Sequence, residues 1–135
     1  VDPFTLRTAY EGIFAIGDVA ELVPPRSSMA VPKAGIFAEG QAKAVALQII
    51  KEIKSNKSRN QADRTMENGA GNNTRFDGKG YCFFEVGEKM AGYIEVDFYN
   101  TTGPSVVLYP PSGEAYEKKR DFEKDRIKEW FSRQG

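Results

Sequence analysis

The chain has 135 residues, 40% of them hydrophobic and 28% charged, which is enough for an ordinary domain with a core. Nineteen basic and nineteen acidic side chains leave a net charge of zero, so there is no electrostatic footprint for nucleic acid. With no His and a single Cys, Ser/His/Asp triads, zinc sites and internal disulfides are excluded; no apolar run is long enough to cross a membrane, and chemistry falls to a cofactor, a carboxylate, a lysine or Cys82.

Taken in order, Val1 to Leu6 reads as an extended lead-in with an Asp2-Pro3 turn, followed by Arg7 and Thr8. In Gly12-Ile13-Phe14-Ala15-Ile16-Gly17-Asp18, four apolar residues run into a Gly-Asp pair. This predicts a buried strand whose carboxyl end delivers Gly17 and Asp18 to a crevice, the place where open α/β sheets bind ligands. Gly17 lets a bulky cofactor approach the backbone, and Asp18 accepts hydrogen bonds from a sugar or polyol hydroxyl. With Thr8 upstream, Thr-x-x-x-Gly-Ile-Phe-Ala-Ile-Gly-Asp resembles the second flavin motif of the FAD-dependent pyridine nucleotide-disulfide oxidoreductase superfamily. The resemblance implies FAD as cofactor and an α/β fold, α+β in this piece: the last strand and helix of a Rossmann-like FAD domain, then a small antiparallel sheet and a helix. No Gly-x-Gly-x-x-Gly follows a strand, and Gly69-Ala70-Gly71 and Gly78-Lys79-Gly80 lie in or beside a polar tract. The expectation is therefore a carboxyl-terminal portion whose partner is the amino-terminal part of the FAD domain.

Residues 19 to 33 form a loop, because Pro24-Pro25 and Pro32 forbid helix there. A helix then runs from Lys33 or Ala34 to about Lys54, with Ala38, Ala42, Val45, Ala46, Ile49 and Ile53 as its buried stripe and Gln41 and Gln48 outside it. The run from Val31-Pro32-Lys33-Ala34-Gly35 to Ala42 is similar to the segment after the Gly-Asp strand in sulfide:quinone oxidoreductases and the flavin subunits of flavocytochrome c sulfide dehydrogenases. There a helix amino terminus lies against the flavin ring. The resemblance makes Gly17, Asp18, Lys33, Ala34 and Gly35 the cofactor-binding residues. Unpaired N–H groups and a partial positive charge at that terminus suit the pyrimidine edge of a flavin as it gains negative charge.

From 55 to 77 the composition turns to Asn, Lys, Arg, Asp and Gly and reads as a flexible linker between residues 1–54, the FAD-domain portion, and a second unit over 78–135. In that unit Tyr81 to Val86 and Met90 to Tyr99 are strands joined by Gly87-Glu88-Lys89, with Met90, Gly92, Ile94, Val96 and Phe98 expected as the core face. Ser105 to Tyr109 adds a third strand ended by Pro110-Pro111, and Ser112 caps a helix running to about Ser132. Cys82 has two readings. In the resembled sulfide oxidoreductases a carboxyl-proximal Cys is half of a redox pair, which would make Cys82 catalytic; yet by alternation it shares a face with Phe84 and Val86, which reads as an inert core thiol.

The resemblance thus implies an oxidoreductase that passes electrons through flavin to a quinone or another acceptor, with a type II NADH dehydrogenase-like flavoenzyme as its enzymatic alternative. A non-catalytic oligomerisation or assembly module is the other class, and a homo-oligomer formed by pairing of uncovered strand edges at Ile13 to Ile16 is expected. Quinone contact and a cytoplasmic or peripheral membrane location are expected with the resemblance; Trp130 and Phe131 on the last helix read either as core packing on one face with Tyr116, Phe122 and Ile127 or as interfacial residues, and the balanced charges of that helix lack a strongly basic polar face.

Overall fold

A computed structural model describes residues 1–60 and 74–132. The elements in order are a 3-10 turn at Gly17–Val19, helix α1 (Gly35–Asn60), strands β1 (Lys79–Gly87), β2 (Met90–Asp97) and β3 (Ser105–Ser112), and helix α2 (Gly113–Phe131). The architecture is mixed: two α-helices and one antiparallel sheet of order β1-β2-β3. The chain divides into a first unit, Val1–Lys79 with Asp97–Pro104, and a second, Gly80–Val96 with Ser105–Gly135.

The first unit begins on a loop that Asp2 organises. Its Oδ1 accepts the backbone N–H of Phe4 at 3.0 Å and of Thr5 at 2.7 Å and the Thr5 hydroxyl at 2.8 Å, fixing the Asp-Pro turn. The turn places Leu6, fully buried, in the left-handed region at φ 59, where its carbonyl accepts Ala15 N–H at 3.1 Å. The strand expected over Ile13 to Ile16 is not formed. Phe14 makes an isolated antiparallel bridge with Arg7, and Ile13 is 53% exposed. A strand needs a neighbour to take up its ladder, and among the described residues only the Arg7 stretch is bridged to it.

Helix α1 forms as expected but longer, reaching Asn60, and its buried side is turned from the expected stripe. Phe37, Gln41, Ala44, Val45 and Gln48 are the buried positions, spaced four, three, one and three apart, while Ile49, Ile50 and Ile53 are 40 to 51% exposed. The two glutamines are buried because each serves loop backbone: Gln41 Oε1 accepts Gly17 N–H at 2.7 Å, and Gln48 Nε2 donates to Thr5 O at 3.0 Å. Of the linker expected over 55–77, residues 61–73 lie outside the described residues, 55–60 continue α1, and Phe76 is buried, donating its N–H to Phe4 O at 2.8 Å. Tyr99 closes this core, edge-on to Phe4 and Phe76, with its hydroxyl donating to Pro3 O at 2.5 Å.

In the second unit the hairpin is as read, with Gly87, Glu88 and Lys89 all at positive φ, the conformation tight hairpin turns demand. β3 runs through Pro110-Pro111 to Ser112 rather than stopping before them. It is an edge strand, where a proline whose N–H side faces away from β2 costs no ladder bond. Ser112 Oγ accepts Ala115 N–H at 3.1 Å as the N-cap of α2. The face that α2 covers is the one expected to be polar: Tyr81 and Phe83 pack with Phe122 of α2, Tyr93 packs with Tyr81 and Phe83, and Glu85 pairs with Lys119 at 2.5 Å. Rings outweigh the carboxylates on that face, and the carboxylates reach its rim.

Candidate functional site

The 3-10 turn and the start of α1 meet in the first unit. Gly17 stands at φ 65, a conformation that disfavours any side chain, and a Cβ there would lie 3.6 Å from Ala38 Cβ. Its N–H is held by Gln41, so a buried amide two turns into the helix fixes the Gly-Asp pair beside the helix's first turn. Asp18 is exposed, as are Lys33, Ala34 and Gly35. Ala34 O accepts the N–H groups of Phe37 at 3.0 Å and Ala38 at 3.2 Å, starting the helical ladder, while the N–H groups of Gly35 and Ile36 come too early in the helix to have an acceptor within it.

Of the residues expected to bind a cofactor, Gly17, Lys33 and Ala34 line one recess together with Leu22, Pro32 and Gln41; Asp18 and Gly35 are outside it. The Lys33 ammonium donates to Ala20 O, which ties the loop 20–33 to itself. The recess has a volume of about 10 Å³, room for about one water. These residues fit a flavin in kind on their outer side. There the Asp18 carboxylate is exposed, and a Cβ on Gly35 would meet nothing within 4 Å, so a ligand atom can approach the backbone at that point.

Cys82 belongs to the second unit and is free and exposed, its thiol 3.5 Å from Phe83 O. The core reading of this residue is overturned, because α2 covers the other face of β1. On the α2 side, Glu95 accepts the Tyr109 hydroxyl at 3.1 Å, and burial, followed by the Glu95 carboxylate, pushes the Tyr93 phenol up to about 12. Tyr81, Phe83, Tyr93 and Phe122 border an open groove of about 420 Å³ there. A second groove, about 600 Å³, is polar and runs between Arg7, which is ion-paired with Glu52, and Lys51; it contains none of the expected site residues.

Sequence reasoning missed Gln41, the residue that holds the Gly17 turn. Its signal was spacing alone: Gln41 and Gln48 are seven apart and share a face with Phe37, Ala44 and Val45. Among the described residues no helix is long and apolar enough to cross a membrane. Set against protein-family models, curated proteins and solved structures, the chain matches none of them.

Proposed function

We propose that this chain is the carboxyl-terminal portion of an FAD-dependent oxidoreductase of the sulfide:quinone type, built on a Rossmann-like FAD domain whose other part is its partner. The supporting observation is that Gly17 from one of the stretches carrying the resemblance and Lys33 and Ala34 from the other line one recess, with Gly17 fixed by Gln41. FAD bound there supplies two-electron redox chemistry between a donor such as sulfide and a quinone or other acceptor. Asp18 accepts hydrogen bonds from ribityl hydroxyls, Gly17 leaves the backbone open to close approach, and the first-turn N–H groups near Gly35 donate to carbonyl oxygens of the ring. Lys33 has a positioning role, holding the loop that leads into α1.

Flavin content of the protein in its natural context, before and after dialysis, tests this reading. Wild type should carry stoichiometric FAD, Asp18→Ala should lose it on dialysis, and Glu21→Ala, at a nearby exposed carboxylate, should keep it. Wild type free of flavin, or Asp18→Ala that retains it like wild type, overturns the assignment.

A further inference from the structure

The two faces of the sheet are unlike. The face under α2 carries the aromatic cluster together with Glu85 and Glu95. On the opposite face, by strand alternation, every residue of β1, β2 and β3 except Ser112 at the end of β3 is apolar, Cys, Gly or Pro, and none is charged. Val106 and Leu108 are 62% exposed there, Val86 is 50% exposed, and Phe84, Met90 and Cys82 are also exposed. The Phe84 ring lies over Gly92, so it lies along the face instead of standing from it.

We propose that this open face is a self-association surface that packs against the same face of a second copy of the chain. Three arguments select that occupant. A face without charge has nothing with which to complement a charged partner, whereas a second copy presents a flat uncharged sheet that matches it under two-fold symmetry, as sheets stack face to face. The exposed side chains offer roughly 600 Å² per copy, about 1,200 Å² for a pair, which reaches the lower end of specific interfaces and the upper end of patches that monomers leave open. The net charge of zero sets no long-range repulsion between copies. The pairing is face to face, unlike edge pairing at Ile13 to Ile16, and it does not rest on the flavin reading.

Sedimentation equilibrium of the whole chain tests it, with Leu108→Lys and Val106→Lys as surface variants checked for folding by circular dichroism and Ile127→Lys, on the exposed part of α2, as control. Wild type and Ile127→Lys should pass from monomer to dimer by tens of micromolar, roughly, and the face variants should weaken the dimer about tenfold or more. Cys82 alkylation in wild type should slow as concentration rises through that range, a readout that survives even if both variants misfold. A wild-type monomer throughout, whether or not it captures some other polypeptide, overturns the proposal. So does a dimer indifferent to Leu108→Lys, or Cys82 labelling independent of concentration.

Discussion

Gln41 Oε1 accepts the backbone N–H of Gly17 at 2.7 Å across a separation of twenty-four residues, and Gln41 is only 3% exposed. One side chain of α1 thus determines where the Gly17-Asp18 turn lies. Gln48, two turns further on, does the converse by donating to a carbonyl, Thr5 O.

The two glutamines should differ in weight. Gln41→Leu leaves a backbone N–H with no acceptor, a loss on the order of 1–3 kcal/mol. Gln48→Leu strands a carbonyl instead, and carbonyls tolerate under-satisfaction better than N–H groups do, so its cost should be about 1 kcal/mol or less. Urea midpoints at unchanged slope measure both. Equal costs, or the reverse order, would show that the Gly17 turn is held by something other than Gln41.

Gly17 and Gly92 should both resist substitution, for different reasons. At Gly17 the space is adequate and the backbone is not: φ 65 costs an alanine about 1–2 kcal/mol, with no clash at 3.6 Å from Ala38. At Gly92 the backbone is ordinary and the space is filled by the Phe84 ring. Gly92→Ala should cost about 1–3 kcal/mol through overpacking, and much of that should return in the double variant with Phe84→Leu. A double-mutant cycle with no coupling between positions 84 and 92 would contradict the stacking of that ring.

The strands, turn and cap of the second unit were legible in the sequence because their signals are local, whereas the face that α2 covers was not, since it depends on which residues of α2 pack there. Alternation over β1 and β2, the Gly87-Glu88-Lys89 turn and the Ser112 cap each act within a few residues, and each is found in place. The first unit depends on distant partners. Ile13 to Ile16 has the composition of a strand and makes a single bridge, Phe14 to Arg7, and the face of α1 is set by two glutamines whose donor and acceptor partners lie 24 and 43 residues away in sequence. Hydrophobic periodicity ranks Ile49 and Ile53 above Gln41 and Gln48, since it has no entry for a buried amide that satisfies backbone. The candidate site was legible in its residue types, Gly17, Lys33 and Ala34. The engagement of Lys33 with Ala20 O and the exposure of Cys82 were not, since both follow from which neighbours pack beside them.

Tyr93 gives the fold a defined response to alkali. Burial raises its phenol to about 12, and the hydrogen bond and charge of Glu95 add to the rise. A raised folded pKa favours the protonated phenol, so this contribution is complete below the unfolded value near 10 and is lost as pH climbs through about 12. Tyr99 is raised further still, chiefly by burial. Absorbance titration of the six tyrosines should therefore show phenols that ionise late and together with unfolding. Glu95→Gln removes the carboxylate and leaves the burial, so in that variant Tyr93 should ionise earlier but still above the ordinary value, and the alkaline loss of stability, still beginning near the unfolded value, should be smaller and complete at lower pH. An alkaline limb identical in wild type and Glu95→Gln would mean that Glu95 does not act on Tyr93, and that burial against Tyr81, Phe83 and Phe122 sets its titration alone.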